Sequence, residues 1–176
     1  MVRSKTLSFL LWLPLLTACH QTSLQDSVRT RLDSFLQEVK KNPVDEAVLA
    51  AVEKLNRSAS DADLETIEHF AKANATNEVA WPLIRLLVVR HRFDSAVEVA
   101  VGSLSKSENR QYRMWKWWEH SFGDRKDYAE LNRELGQAYL RLFKQSSEAT
   151  KEIISDIFGR KKLSAQEFSE LIDSRK

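Results

Sequence analysis

Turn-forming residues are scarce in this chain, which has only 4 glycines and 3 prolines among its 176 residues. Sheets built from β-hairpins need more of them, because tight turns use backbone angles that glycine and proline favour. The chain also has a single cysteine, so no internal disulfide can form and an apolar core must hold the fold together. These shortages exclude a disulfide-stabilised scaffold and argue against a hairpin-rich β protein.

A hydrophobic run long enough to cross a bilayer is missing as well. The apolar stretch near the N-terminus, residues 7–16, has only about half of the roughly 20 residues that a transmembrane helix requires. Arg3 and Lys5 precede this stretch, and two small residues, Thr17 and Ala18, follow it. A basic start, a short apolar centre and small residues at the end are typical of a secretory signal peptide.

The segment Leu16-Thr17-Ala18-Cys19 resembles the lipobox of bacterial lipoproteins. The resemblance implies that the Cys19 thiol carries a diacylglyceryl group, that the peptide is cut before Cys19, and that the new amine is acylated, with palmitate as a typical chain. Each buried methylene contributes about 0.8 kcal/mol, so two or more chains hold a protein stably on a membrane. His20 replaces the aspartate that often signals inner-membrane retention, which favours the outer membrane facing the periplasm. The alternative is an unmodified, buried cysteine beside an ordinary signal sequence.

The same resemblance implies a lipoprotein signal peptide at 1–18 and an acylated short tether at 19–23. The remaining residues, 24–176, are enough for a single periplasmic domain, which the periodicity described below predicts to be all-helical. Removing Arg3 and Lys5 takes the basic residues from 27 to 25, which balances the 25 acidic residues. A neutral mature chain argues against a nucleic-acid partner, which would favour a basic face. The expected partners are membrane lipid, through Cys19, and an envelope protein, while the oligomeric state stays open.

Apolar residues recur every three or four positions along most of the predicted domain, which is typical of amphipathic helices. The first such helix is predicted over 24–41. The segment 83–89 is apolar nearly all round, which places it at the centre of the core. We therefore expect an all-α fold of stacked antiparallel helix hairpins, as either a short α-solenoid or a compact helical bundle.

Two short patterns predict where helices begin. Ser105 with Glu108, and Ser164 with Glu167, match the capping box, in which each side chain accepts a hydrogen bond from the other residue's backbone N–H. Both pairs stand directly before an apolar periodic segment. We therefore expect a helix to start after each serine.

The spacing of the predicted helices suggests repetition. Helix pairs are predicted to begin near 44, 78, 109 and 147, and tetratricopeptide repeats have a period of about 34 residues. Two stretches resemble that family: Trp81…Phe93-Asp94-Ser95-Ala96…Ala100, and Leu135-Gly136-Gln137-Ala138-Tyr139. The first departs from the family pattern at Arg85, where a glycine or alanine is expected. The resemblance implies a helical-repeat scaffold.

Residue patterns that carry enzyme chemistry are missing from the sequence. The four histidines are scattered, and none forms the His-Glu-x-x-His pattern that places two metal ligands on one helical face. No Gly-x-Ser-x-Gly turn occurs, and glycine-poor helices seldom provide an oxyanion hole. We therefore predict no catalytic residues, no metal site and no cofactor apart from the covalent lipid on Cys19.

An aromatic segment, Tyr112-Arg113-Met114-Trp115-Lys116-Trp117-Trp118, is the most unusual part of the predicted domain. On a helix, Trp117 points roughly 100 to 200° away from its two neighbouring tryptophans, so the three rings cannot share one core. Trp117 is either partly covered by another helix or exposed with Arg113 and Lys116 beside it. An exposed tryptophan flanked by cations suits a lipid headgroup interface or a protein hot spot. These three residues are therefore the candidate membrane or partner surface.

Three functions are compatible with these features. The leading hypothesis is a lipid-anchored envelope adaptor that presents a helical protein-binding surface in the periplasm. The alternative is a protective lipoprotein of the immunity or exclusion type, which binds a toxin or an envelope machine and would be equally small, helical and anchored. An enzyme would require a concave cluster of polar residues that a linear sequence does not reveal.

Overall fold

The protein is built from α-helices, as the sequence predicts. A computed structural model describes residues 13–42, 45–76, 79–105, 108–110, 112–114, 116 and 126–174, and of residues 13–26 and 45 it gives the backbone alone. Within these ranges no residue belongs to a β-strand. The all-α prediction is confirmed.

The helices follow one another through brief connections. The described residues form α1 (Leu13–Lys41), α2 (Asp45–Ser58), α3 (Leu64–Asn74), α4 (Ala80–Val89), α5 (Phe93–Leu104), α6 (Tyr128–Gln145), α7 (Glu148–Ile157) and α8 (Ala165–Asp173). Asp61–Asp63 adds a 3-10 turn between α2 and α3, and 110, 112–114 and 116 are helical as well. Helices α2, α4 and α7 begin within two residues of the predicted pair starts, which confirms those positions.

Contacts between helices arrange the described part of the chain as two rows. One row runs in the order α1, α3, α5, α6 and α8, because each of these helices contacts the next. The other row contains α2 and α4, which contact each other, while α7 packs against α5 and α6. Among the described residues, no extensive contact joins α1 or α2 to α6, α7 or α8. The helices are therefore stacked along one direction.

Helix α4 lies at the centre of the core, as its apolar sequence predicts. Every residue from Ala80 to Val88 except Trp81 is buried. Helices α2, α3 and α5 all contact α4, which explains why it has no continuous polar face. Each large aliphatic side chain buried in this way contributes roughly 1.5–3 kcal/mol. Arg85 is the one charged residue in the buried run, and only 7% of it is exposed.

Helix α1 is longer than the sequence predicts, since it begins at Leu13 rather than near residue 24. Leucine, alanine and glutamine are good helix formers, and Pro14 lies in the first turn, where a missing N–H is tolerated. The backbone of the predicted tether, 19–23, therefore lies within α1, while residues 1–12 fall outside the described residues. The domain boundaries stay predictions. None of the described helices combines the length and the apolar character that a bilayer-crossing segment requires.

One of the two predicted capping boxes is confirmed and the other is wrong. Ser164 Oγ accepts a hydrogen bond from the Glu167 N–H at 3.2 Å, and the Glu167 carboxylate accepts one from the Ser164 N–H at 2.8 Å, which lowers the pKa of Glu167. Ser105, in contrast, ends α5, because its N–H still donates to the helix and its hydroxyl donates to the Gly102 carbonyl at 2.7 Å. Its side chain therefore does not open the next helix with Glu108.

Candidate functional site

Cys19, the predicted lipidation site, lies in the N-terminal part of α1. Its side chain is outside the described residues. Acylation of Cys19, cleavage before it and the outer-membrane location stay predictions.

The predicted cationic and aromatic surface is described only in part. Arg113 and Lys116 are helical and half-buried, while Trp117 lies outside the described residues. Met114, between the two cations, is buried and accepts a hydrogen bond from the Tyr139 hydroxyl at 3.4 Å. This contact turns one side of the segment towards α6. The role of Arg113, Lys116 and Trp117 as a membrane or partner surface stays a prediction.

Helices α2 and α4 border a cavity of about 330 Å³ that opens to solvent. Four residues of α2 and two of α4 line it: Val52, Glu53, Asn56, Arg57, Arg85 and Val89. Its volume is close to the lower end of the roughly 300–1,000 Å³ range of ligand pockets in proteins. The cavity combines two apolar side chains with polar groups of the kind that orient a bound molecule.

Arg85 brings a positive charge into the wall of this cavity, although the residue is almost fully buried. A guanidinium stays charged at any physiological pH and offers five N–H donors in a planar fork. That geometry matches the two oxygens of a carboxylate. Arg57 adds a second guanidinium to the lining and Glu53 adds one carboxylate.

Asn56 has hydrogen-bonding capacity that the described residues leave unused. Its backbone carbonyl accepts a hydrogen bond from Arg90 Nη2 at 2.9 Å. Its side-chain Oδ1 is buried and accepts no hydrogen bond within the described part of the chain. A buried acceptor without a donor costs about 1–3 kcal/mol.

Two arginines hold the connection between α2 and α3, beside the cavity. Arg31 of α1 donates hydrogen bonds to the Ser58 carbonyl and, at 3.1 Å, to Asp63 Oδ2. Arg90, which follows α4, donates to the Ala59 carbonyl. Because Arg31 belongs to α1 and Arg90 directly follows α4, they fix the connection against both helices. We call this arrangement of Arg31, Arg90 and Asp63 the arginine clamp.

Asp63 is buried within the arginine clamp and is the acceptor that Arg31 needs. Burial alone would raise the pKa of Asp63. Hydrogen bonds from Ser60, whose N–H lies 2.8 Å from Oδ2, and the ion pair with Arg31 outweigh burial and lower the pKa of this carboxyl. Asp63 therefore carries its negative charge in the folded protein at neutral pH.

Among the described residues, no group of three or more histidine, cysteine, aspartate or glutamate side chains is arranged to hold a metal ion. The predictions of no metal site, no cofactor beyond the lipid and no catalytic residues stay predictions.

Sequence reasoning missed the cavity between α2 and α4. One signal was present: Arg85 is a single charge inside an otherwise apolar run, and arginine is almost never fully buried unless it is paired. No signal in the sequence indicated that Asn56 and Arg57 line the cavity, because a polar residue on an amphipathic helix normally faces solvent.

Comparison with known proteins gives no matching family model and no significantly similar curated protein or solved structure. The resemblances to bacterial lipoproteins and to tetratricopeptide repeats stay predictions that rest on the motifs quoted above.

Proposed function

We propose that this protein is a lipid-anchored adaptor of the bacterial cell envelope. Acyl chains on Cys19 hold it at the periplasmic face of the outer membrane, and its stacked helices bind another envelope protein. The anchoring half of the proposal rests on Leu16-Thr17-Ala18-Cys19 behind a short apolar stretch. The binding half rests on one observation, the solvent-open cavity between α2 and α4 with charged and amide groups in its wall.

The stacked arrangement supports a binding role over a catalytic one. Helices stacked in rows keep their long sides available, and proteins built in this way use such surfaces for recognition. This arrangement agrees with an adaptor that works through contact area.

Anchoring is tested by expressing the chain with Cys19 and with Cys19→Ala in a bacterial host and separating membranes from soluble proteins. The Cys19 chain is expected in the membrane fraction, with an intact mass that shows acyl groups and loss of residues 1–18. Cys19→Ala is expected to stay unacylated and uncleaved. Thr17→Ser, which keeps a small residue at the same place, serves as the control and should behave like the unchanged chain. An unmodified thiol in the Cys19 chain would contradict the anchoring half.

Partner binding is tested with a photo-crosslinking amino acid in place of Arg57 at the cavity. The matched control places the same amino acid at Lys144, an exposed position of α6 far along the chain from α2. A discrete crosslinked protein at position 57 and none at position 144 is the expected result in intact envelopes. If the captured protein is a toxin, the protective function replaces the adaptor function.

A further inference from the structure

We propose that the loop between α7 and α8 is a second point of contact with the membrane and binds the anionic headgroups of phospholipids. Three consecutive cations of this loop, Arg160, Lys161 and Lys162, form what we call the basic loop. Together with acyl chains on Cys19, the basic loop would lay the stacked helices along the bilayer surface. The inference rests on the lipid anchor proposed above and concerns a different part of the chain.

The end of α7 is closed by its own backbone, so the basic loop is not needed to bond the last carbonyl groups of that helix. Gly159 has a φ of 71°, the left-handed conformation in which many helices end. The Gly159 N–H donates to the Asp156 carbonyl at 3.0 Å, and the Arg160 N–H donates to the Ser155 carbonyl at 2.9 Å. These two hydrogen bonds form a Schellman motif. The side chains of the basic loop are therefore available for another contact.

The three side chains of the basic loop are exposed and form no ion pair within the described part of the chain. The nearest acidic residues along the chain on either side already have partners. Asp156 Oδ2 lies 3.1 Å from Arg110 Nη1, and the Glu167 carboxylate accepts the Ser164 N–H at 2.8 Å in the capping box of α8. Neither carboxylate neutralises the basic loop.

Glu148, at the start of α7, is the acidic residue on which Lys162 has an electrostatic effect, but this carboxylate is bound to another lysine. Glu148 Oε1 lies 2.7 Å from Lys151 Nζ. This hydrogen bond is the main reason why the pKa of Glu148 is lowered, and the charge of Lys162 makes a smaller contribution. The positive charge of the basic loop is therefore only weakly compensated by its surroundings.

The composition of the basic loop favours a lipid surface over a protein partner. Protein interfaces are depleted in lysine and enriched in aromatic residues, whereas two of these three cations are lysines. The large hydrophobic side chains exposed in the described part of the chain, Tyr112 and Tyr128, lie outside this loop. Anionic membranes attract clusters of lysine and arginine. Three cations alone bind weakly, but an acyl anchor supplies the second signal that stable membrane attachment requires.

The basic loop lies at the opposite end of a helix row from α1, which carries Cys19. This row runs from α1 to α8 through four helix-to-helix steps. At about 8–10 Å a step, the two ends are up to roughly 40 Å apart. Attraction to a charged surface is screened over about 8 Å at physiological ionic strength. The basic loop can therefore bind headgroups only when the row lies along the membrane instead of standing upright on it.

Contact with lipid is tested in vesicles that carry the full acylated chain, with a fluorescent amino acid in place of the exposed Ala165 beside the basic loop. Nitroxide-labelled headgroups quench this probe only at short range. The ratio of quenched to unquenched probe should be at least about tenfold higher in vesicles of phosphatidylglycerol and phosphatidylcholine than in phosphatidylcholine alone. High salt should remove the difference, because the screening length falls from about 10 Å at 0.1 M to about 3 Å at 1 M.

The contribution of each cation is tested by substitution in the anionic vesicles. Arg160→Gln, Lys161→Gln and Lys162→Gln should each lower the quenching ratio about fivefold, and the triple variant about 100-fold. Arg160→Lys keeps the charge and should change the ratio less than about twofold. Lys54→Gln is the matched control for net charge, since it removes one exposed lysine from α2, and it should also change the ratio less than about twofold.

Three results would overturn the proposal. Equal quenching in anionic and neutral vesicles would exclude the anionic headgroup as the ligand. A triple variant that is less stable to denaturant but keeps full quenching would show that the three cations serve only to offset the dipole of α7. Loop contact that appears only after envelope proteins are added to the vesicles would assign the basic loop to a protein partner.

Failure of the lipid anchor can be told apart from failure of the basic loop. An unmodified Cys19 thiol would count against the anchoring proposal alone. The chain can then be coupled through that thiol to a maleimide lipid, and the quenching comparison repeated in the same vesicles. Quenching that still depends on anionic lipid and on the three cations would support the basic loop without natural acylation, and quenching independent of both would contradict it.

Discussion

Two junctions between helices of this molecule are held together by different kinds of interaction. The connection between α2 and α3 is held by the arginine clamp, in which Arg31 and Arg90 bind carbonyl oxygens and Asp63. The junction of α6, α7 and α8 is held by four aromatic rings, with adjacent centroids 4.9–5.2 Å apart: Tyr139, Phe143, Phe158 and Phe168. The first junction depends on charge and the second on volume.

This difference predicts how each junction responds to change. A polar junction fails when one atom loses its charge or its partner, and it responds to pH. An aromatic junction is insensitive to pH near neutrality and fails when a ring is removed, because the remaining space does not close fully. Four substitutions test this difference, and they follow in order of decreasing expected loss of stability.

The largest loss is expected at the aromatic junction from Phe168→Ala. Phe168 is fully buried and its ring contacts the rings of both Phe143 and Phe158. Removing it should lower the free energy of unfolding by about 3–5 kcal/mol, as measured by chemical denaturation. Phe168→Leu keeps most of the volume and should cost clearly less. A loss below about 1 kcal/mol for the alanine variant would mean that α8 does not depend on this cluster.

The arginine clamp is tested by Asp63→Asn, which removes the charge and keeps the shape. A hydrogen bond to a charged group contributes about 1.5–3 kcal/mol, and a loss of that size is expected at pH 7. Asp61→Asn is the matched control: Asp61 lies 3.5 Å from Arg90 Nη1, but its side chain is 94% exposed, so the loss should stay below about 1 kcal/mol.

The contribution of the Asp63 charge to stability depends on pH in one direction. The folded state lowers the pKa of Asp63 below its ordinary value of 3.8, so the charge contributes stability above that value, and the contribution is lost as the pH falls through the lowered pKa. The stability difference between the unchanged chain and Asp63→Asn should therefore be constant from pH 5 to 7, by this linkage, and shrink below about pH 4. A difference that persists unchanged at pH 2 would mean that shape, not charge, matters at this position.

Close packing at the aromatic junction is tested by Gly136→Ala. A Cβ at this position would lie 2.9 Å from Ile172 Cγ2, so the Ile172 side chain or the helix that carries it must shift. Overpacking costs about 1–3 kcal/mol, and the better helix propensity of alanine offsets up to about 1 kcal/mol of it. When Ile172→Leu is added to Gly136→Ala, the side-chain branch of residue 172 moves from its own Cβ to Cγ. This second change should restore part of the stability that Gly136→Ala loses. Gly102→Ala has open space around its Cβ and should be neutral or stabilising, which separates packing from propensity.

The smallest effect is expected at the start of α8. Ser164→Ala removes a cap and should cost about 1 kcal/mol. Ser105→Ala removes a hydroxyl that bonds within α5 and caps no helix start, so it should cost less than about 0.5 kcal/mol. Thermal denaturation of the two variants side by side makes the comparison. Equal losses would contradict the assignment of one serine as a cap and the other as the end of a helix.

The two serine pairs also illustrate how far the sequence could predict the fold. Both Ser105–Glu108 and Ser164–Glu167 have the residues of a capping box, yet only the second forms one. The sequence pattern shows which capping hydrogen bonds are possible. Which of them form depends on where the preceding helix ends. Helix α5 continues through Leu104 because Val101 and Leu104 are buried against its neighbours, and Ser105 is then used at its end.

Local periodicity in the amino-acid sequence is enough to predict the helical class, the starts of α2, α4 and α7, and the buried character of α4, because it relates residues three or four positions apart. Which polar groups meet depends on how the helices pack. Arg31 and Asp63 are 32 residues apart, and Arg57 and Arg85 line one cavity from different helices. Such meetings depend on which faces the packed helices turn towards each other, and that orientation is set by the shape of the whole core.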